Sequence, residues 1–218
     1  MKAWRAVTGI VPLLTALLLI VGTAAAEPRV PTILAFGDSF TAGLGLTRDA
    51  AFPARLEAWL AAQQVPANVI NAGVSGETTA AGLARLDAAL AAHPDIVILE
   101  LGANDALRGI NPALTRRNLD LMIEKIRAGG ARLLLTGMLA PTNWGDEYRQ
   151  AFDRVYPELA SLRQVPLYPF FLEGVAQNPH LNQPDTLHPN ERGVAIIVSR
   201  IGPVVQRLFF TDTATPRP

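Results

Sequence analysis

The stretch Thr32-Ile33-Leu34-Ala35-Phe36-Gly37-Asp38-Ser39 decides the fold, because an apolar run ends abruptly at a glycine followed by two polar residues. Similar short apolar runs recur along the chain, and most of them are also followed by a glycine. They cover residues 68–71, 95–100, 132–136 and, more weakly, 165–168. Continuous apolar runs of this length are typical of strands that are buried on both faces, as in a parallel sheet.

Amphipathic segments lie between these runs. Their apolar periodicity predicts helices over residues 52–64, 78–92, 112–128, 148–162 and 189–210. Asn111 followed by Pro112 is typical of a helix start. Alternating strands and helices indicate an open α/β sheet with right-handed crossovers. Because such sheets bind ligands beyond the carboxyl ends of their strands, the residues that follow each strand are the candidates for chemistry.

Composition excludes several classes of protein. The 218 residues include 19 Lys and Arg against 19 Asp and Glu, and this balance argues against a nucleic-acid binder that neutralises phosphates. The chain has no cysteine, which rules out a disulfide, a thiolate nucleophile, a zinc–thiolate site and an iron–sulfur cluster. Hydrophobic residues make up 50% of the chain, which raises the question whether part of them is directed to a membrane.

The amino terminus accounts for part of that apolar content. Lys2 and Arg5 precede an apolar run over residues 10–21, and a small-residue A-x-A pattern ends at Ala26. This order predicts a secretory signal peptide over residues 1–26. The run is shorter than the roughly 20 apolar residues of a membrane span, and an uncleaved anchor stays open as the alternative.

The rest of the chain shows no linker-like stretch that would divide it. We therefore expect one domain over residues 27–210, followed by a flexible tail over residues 211–218. The expected location is the periplasm or the external medium, with no stable membrane span once the leader is cleaved.

A serine, a histidine and an aspartate form the first candidate set. Ser39 follows the first predicted strand, where backbone N–H groups point outward and favour a nucleophile that forms an oxyanion. A serine nucleophile needs a base, and the base needs a carboxylate that orients it. Asp185 lies three residues before His188, so one tight turn supplies both. Taken alone, Ser39 is better explained as a helix cap or turn residue, whereas the Asp–His turn is as readily structural as catalytic.

Two further strand ends offer hydrogen-bond donors. Gly73 follows the second predicted strand and Asn104 follows the third. A glycine allows close backbone approach to a ligand, and an asparagine amide is a neutral donor suited to an oxyanion hole. Each residue alone is a weak signal, because glycine and asparagine are common in turns. Together with Ser39 and His188, they place four parts of an acyl-transfer site at four sheet-edge positions.

These four residues resemble the blocks that name the SGNH (GDSL) hydrolase superfamily. The first block reads Gly37-Asp38-Ser39-Phe40 where the family often has Gly-Asp-Ser-Leu, so Phe40 is a conservative departure. More narrowly, the chain resembles the secreted thioesterase I, lysophospholipase L1 and arylesterase branch. The matching stretches are residues 37–45, 70–86, 99–110, 138–145 and 184–190. The resemblance implies a three-layer, flavodoxin-like α/β fold with a five-stranded parallel sheet flanked by helices.

The resemblance also implies a role for each residue. Ser39 is expected to be the nucleophile, and His188 the general base and acid. Asp185 is expected to orient His188. The oxyanion hole is expected to consist of the backbone N–H groups of Ser39 and Gly73 and the side-chain amide of Asn104. No metal or cofactor is needed for this chemistry.

Two loops are expected to border the substrate. They cover residues 105–110 and 138–144, and their candidate substrate-binding residues are Leu107, Arg108, Ile110 and Pro141. Asp38, although adjacent to the nucleophile in sequence, is expected to have a structural role.

The resemblance implies an exported, monomeric serine esterase whose substrate is a small acyl or aryl ester, a thioester or a lysophospholipid. Two alternatives stay open. A polysaccharide or peptidoglycan O-acetylesterase would use the same four residues, and an exported binding protein could keep the scaffold without catalysis.

Overall fold

One five-stranded parallel sheet forms the centre of the molecule. The computed structural model describes residue 1 and residues 29–210. The strands are β1 (Thr32–Gly37), β2 (Asn68–Gly73), β3 (Ile96–Glu100), β4 (Arg132–Thr136) and β5 (Leu167–Tyr168). They lie in the order β2-β1-β3-β4-β5, and every neighbouring pair is parallel. This arrangement confirms the predicted α/β sheet.

Helices flank the sheet. They are α1 (Ser39–Ala42), α2 (Phe52–Ala62), α3 (Thr79–Leu90), α4 (Ala103–Leu107), α5 (Pro112–Ala128), α6 (Asp146–Asp153), α7 (Val155–Arg163) and α8 (Glu191–Leu208). Helix α2 packs against α8, whereas α5 packs against both α3 and α7. All residues of β3 are buried, which explains why this strand is a continuous apolar run up to Glu100.

The segment predicted as one helix over residues 148–162 is two helices, and this prediction was wrong. Helix α6 ends at Asp153 and α7 begins at Val155, with Arg154 between them. Pro157 provides the physical reason, because a proline has no N–H to donate to the carbonyl of Asp153, four residues earlier. The chain changes direction at this break, and both helices keep an apolar face.

The last helix begins at Glu191, two residues later than predicted. Asn190 is its N-cap, and the Asn190 side chain accepts hydrogen bonds from the backbone N–H groups of Arg192 and Gly193. Pro189 instead pairs with Asn182 in an isolated antiparallel bridge. The residues just before α8 are therefore held as a defined loop.

The strand register determines which loops meet. Gly37, the last residue of β1, lies opposite Gly73 of β2 on one side and opposite Glu100 of β3 on the other. Three neighbouring strands therefore end at the same level, and the residues that follow them lie at one edge of the sheet.

Two predictions for the ends of the chain stay predictions. The signal peptide over residues 1–26, apart from residue 1, and the tail over residues 211–218 lie outside the described residues. In the part of the chain that is described, no helix has the combination of length and apolar character that crossing a membrane requires.

Candidate active site

Ser39 is the first residue of the short helix α1, directly beyond β1. Asp38 is the N-cap of this helix, and Asp38 Oδ1 accepts a hydrogen bond of 3.1 Å from the backbone N–H of Phe40. Gly43 ends the helix in the left-handed conformation, with φ of 80°. Ser39 is buried but keeps 8% of its surface exposed to solvent.

A continuous hydrogen-bonded chain joins Ser39, His188 and Asp185. His188 Nε2 lies 2.9 Å from Ser39 Oγ, and His188 Nδ1 lies 2.7 Å from Asp185 Oδ2. An ionised carboxylate only accepts hydrogen bonds, so the proton of the neutral imidazole lies on Nδ1. Nε2 is then the acceptor that faces the serine hydroxyl. Ser39 and His188 are separated by 149 positions in sequence, but their side chains lie in direct contact.

Asp185 also organises the turn on which His188 lies. Asp185 Oδ1 accepts hydrogen bonds from the backbone N–H groups of Leu187 and His188, at 3.0 and 2.9 Å. The His188 N–H, then the His188 ring and the Leu187 N–H, lower the pKa of Asp185 to about 2. Asp185 is therefore a carboxylate at neutral pH although its side chain is half exposed.

Gln183 connects the segment that follows α1 to the loop that carries His188. Its side-chain Nε2 donates to the carbonyl oxygens of Leu44, at 2.7 Å, and Pro189, at 3.0 Å. Its backbone N–H donates to the carbonyl oxygen of His188 at 2.7 Å. The sequence analysis did not single out this residue, because nothing in the local pattern marks a glutamine that reaches 139 positions back along the chain.

Gly73 lies against the backbone of α1. A Cβ atom at this position would come within 2.2 Å of the Ala42 nitrogen and 2.8 Å of the Asp38 carbonyl oxygen, so only glycine fits. The Gly73 N–H donates a 3.0 Å hydrogen bond to Oδ1 of Asn71. This N–H points away from β1, because the N–H of the next residue, Val74, is the one that donates to the Gly37 carbonyl oxygen of β1, so the structure does not bring this expected donor toward Ser39.

Asn104 lies in the second position of α4, beyond β3. Its Nδ2 donates a 3.1 Å hydrogen bond to Asp38 Oδ2. Because a side-chain amide carries two N–H bonds, this contact orients the group and leaves the second N–H for another acceptor. Asp38 therefore has a structural role, as expected. This role serves the site directly, because Asp38 holds a candidate oxyanion donor.

Glu100 forms a second buried carboxyl beneath Ser39. Its Oε2 accepts from the Asp38 N–H (3.3 Å), the Thr41 N–H (3.2 Å) and the Thr41 hydroxyl (2.7 Å), and its Oε1 is buried with no hydrogen-bond partner among the described residues. Burial raises the pKa of Asp38 to about 6. Burial, and then the charge of Asp38, raise the pKa of Glu100 well above its usual range. The sequence signal that could have identified Glu100 is its position as a charged residue at the end of an otherwise apolar strand.

The two expected substrate loops touch each other. The Trp144 indole N–H donates to the carbonyl oxygen of Ala106 at 2.9 Å, and a Cβ atom at Gly109 would lie 2.9 Å from the Trp144 ring. Arg108 donates to the carbonyl oxygen of Gly76 at 2.8 Å, which joins the loops that follow β2 and β3. Tyr148 donates to the Ile110 carbonyl oxygen at 2.9 Å.

The remaining predicted substrate residues lie on the same loops. Leu107 is exposed at the end of α4, and Pro141 is half-buried before a short 3-10 turn. A small pocket that touches Ser39 and His188 is lined by other residues. These are Phe40, Gly43, Leu44, Leu46, Phe52, Pro189, Val194 and Ile197. The sequence analysis did not name these residues as lining a pocket.

Comparisons with known proteins show which proteins this chain is similar to. A family model described as "GDSL-like Lipase/Acylhydrolase family" matches residues 35–196. Esterase TesA of Pseudomonas aeruginosa is 42% identical over 195 residues, which cover 89% of this chain and 95% of that protein. Thioesterase 1/protease 1/lysophospholipase L1 of Escherichia coli is 39% identical over 204 residues, covering 93% and 94%. The crystal structure of esterase EstA from Pseudoalteromonas sp., described as inhibited by monoethylphosphonate, aligns with a TM-score of 0.78, 32% identity and coverage of 83% and 99%.

The buried carboxyl pair predicts an unusual pH dependence of stability. The native chain keeps protons on Asp38 and Glu100 that the unfolded chain releases near pH 4, so the contribution of this pair to the free energy of unfolding falls as pH rises from about 4 through 6 and above. Glu100→Gln stays neutral at every pH and keeps an acceptor oxygen for the same three donors. We expect this variant to lose less stability between pH 5 and 8 than the wild type, as measured by urea denaturation.

Glu147→Gln, at an exposed position of α6, is the matched control for removal of one carboxylate. Identical pH slopes in the wild type and Glu100→Gln would contradict the assignment of a neutral, buried Glu100.

Proposed function

The chain belongs to the GDSL-like lipase/acylhydrolase family, and from this premise we propose that Ser39, His188 and Asp185 are its catalytic triad. The family acts on ester bonds, and the relatives are named esterase, thioesterase and arylesterase, so the chain is an ester hydrolase. The observation that carries the triad is the hydrogen-bonded chain from Asp185 through the imidazole to the serine hydroxyl.

The proposed reaction proceeds by two acyl transfers. His188 Nε2 takes the proton of Ser39 Oγ as this oxygen attacks the ester carbonyl, and the ester carbonyl oxygen becomes an oxyanion. His188 then gives the proton to the leaving alcohol or thiol, which departs and leaves an acyl-serine. A water molecule repeats the sequence with His188 as base, and the acid is released. Asp185 keeps Nδ1 protonated and stabilises the imidazolium that forms.

Two donors are proposed to hold the oxyanion. They are the N–H of Ser39, which follows β1, and the side-chain amide of Asn104, in the helix after β3. Because β1 and β3 are neighbours that end in register, these two donors start from adjacent strand ends. The Gly73 N–H, the third donor expected from the sequence, points away from β1, because it is the N–H of the next residue, Val74, that donates to the Gly37 carbonyl oxygen of β1. Asp38 orients the Asn104 amide from below. Fixed donors of this kind stabilise the transition state without reorganisation when charge develops.

The nucleophile assignment predicts the behaviour of Ser39→Ala. This variant is expected to fold with an unchanged melting temperature, to lose ester hydrolysis, and to lose covalent labelling by a fluorophosphonate probe. A phosphonate inhibits the related EstA, so this class of probe suits the test. Ser161→Ala, at an exposed position of α7, is the matched control and should label as the wild type does. Hydrolysis by folded Ser39→Ala would overturn the proposal.

We propose an acyl or aryl group as the part of the substrate that the site recognises. The loops around the site expose large apolar side chains, and these carry the proposal, because the apolar pocket against Ser39 and His188 has a volume of only about 10 Å³. The exposed members of this set are Leu44, Val74, Leu107, Leu139, Trp144 and Leu187. Apolar walls of this kind suit a hydrocarbon acid or an aromatic alcohol more than a sugar chain.

A series of nitrophenyl esters that differ in acyl length tests the substrate class. We expect kcat/KM to be retained or to rise from acetyl to longer acyl chains, because each added methylene contacts apolar surface. Activity restricted to the acetyl ester, together with acetate release from an acetylated polysaccharide, would contradict this proposal. That result would favour the O-acetylesterase alternative.

We propose that residues 1–26 are an export signal that is removed. The positive residues Lys2 and Arg5, the apolar run and the small residues before Glu27 support this proposal. The mass of the protein recovered outside the cytoplasm should correspond to a chain that starts at Glu27. Recovery of the full-length mass in the membrane fraction would instead indicate a retained anchor.

A further inference from the structure

The Gln183 side chain spans two segments that meet at the site. Its Nε2 donates to the carbonyl oxygen of Leu44 at 2.7 Å and to that of Pro189 at 3.0 Å. Because a side-chain amide carries two N–H bonds, each of them can serve one of these carbonyls. Leu44 follows α1 and Pro189 directly follows His188. One amide therefore joins the segment that supplies the serine to the loop that supplies the base.

Leu44 is in turn fixed to the nucleophile. The N–H of Leu44 donates to the carbonyl oxygen of Ser39 at 3.1 Å, while the Leu44 carbonyl accepts from Gln183. In the part of the chain that the structure describes, only one other hydrogen bond joins residues 38–46 to residues 180–190, and it is the contact between the triad serine and histidine. The amide is thus the one hydrogen-bonded link outside the triad between these two described segments.

Gln183 also closes the loop that carries His188. Its backbone N–H donates to the carbonyl oxygen of His188 at 2.7 Å. Asp185 accepts hydrogen bonds from residues of this same loop. These bonds determine the shape of the turn but not its place relative to Ser39, and residues 184–187 are exposed. The place of the turn therefore depends on contacts at its base, where Gln183 lies.

Gly45 leaves room for the Gln183 side chain. A Cβ atom at Gly45 would lie 2.1 Å from Gln183 Oε1. The φ of Gly45 is 77°, a conformation that glycine adopts without steric cost. The backbone after α1 is therefore shaped to accept this amide at close range.

We propose that Gln183 is a positioning residue that keeps His188 Nε2 at hydrogen-bonding distance from Ser39 Oγ. The inference rests on the proposed function and adds one residue to that site. The pocket against Ser39 and His188 is lined by other described residues, so Gln183 acts through the position of these two groups and not through contact with the substrate. Proton transfer requires this distance, and a misplacement of about 1 Å can slow a reaction about 10²-fold.

Gln183→Met keeps the length of the side chain and removes both donors. We expect its kcat on a nitrophenyl ester to fall about 10²-fold, the effect of a small misplacement of the base. KM should change little, because His188 acts in both acyl transfers and the two steps slow together. Gln183→Asn keeps the amide on a shorter stem that reaches at most one of the two carbonyls, and it should give an intermediate kcat.

Gly45→Ala provides a second variant if Gln183→Met does not fold. The added methyl group displaces the Gln183 amide, so kcat should fall in the same way. Gln164→Met is the matched control, because Gln164 also donates to a backbone carbonyl, that of Ser161 at 2.7 Å, but lies at the end of α7. We expect this variant to keep the wild-type kcat.

The His188→Ala background separates positioning of the base from general support of the fold. Gln183→Met should lower the rate of the wild type but leave the residual rate of His188→Ala unchanged, because no base is left to position. Both rates are measured with enzyme in excess over the nitrophenyl ester. An equal fall in the two backgrounds, or wild-type kcat in a folded Gln183→Met variant, overturns the proposal. The proposed function fails separately, if Ser39→Ala or His188→Ala keeps the wild-type activity.

Discussion

The common level at which β1, β2 and β3 end is the constraint on which the rest of the site depends. Parallel pairing aligns Gly37 with both Gly73 and Glu100, so three loops start side by side without any further adjustment. A shift of the register by one residue would exchange the two packed faces of a strand and displace the loop that follows it relative to its neighbours. The same packing that stabilises the sheet therefore determines which loops lie side by side.

The close packing of the loops at this edge of the sheet has a cost in stability. Two carboxyl groups, Asp38 and Glu100, lie buried under the nucleophile, where burial disfavours their charged forms. Asp38 nevertheless caps α1 and holds Asn104, and Glu100 binds three donors from the same turn. Asp38 and Glu100 therefore destabilise the fold through their burial but fix the orientation of the site. Such a compromise is common where catalysis requires rigidity.

Much of the architecture was predictable because it depends on local patterns. Apolar runs that end in glycine marked the strands, and Asn111 with Pro112 marked the start of α5. The pattern was insufficient at Pro157, where a periodic apolar face continued through a backbone that lacks a donor. Periodicity records which side chains are buried, but the continuity of a helix depends on backbone hydrogen bonds.

Positioning residues were harder to predict for a physical reason. Ser39, Asp185 and His188 bear reactive side chains, so their chemistry identifies them in the sequence. Gln183 acts on backbone carbonyl groups, which are chemically alike along the whole chain. Composition and spacing therefore leave its partners undetermined, and the fold alone selects them. It follows that a variant with all four characteristic residues of this family can still lose activity, if the contact of Gln183 between Leu44 and Pro189 is lost.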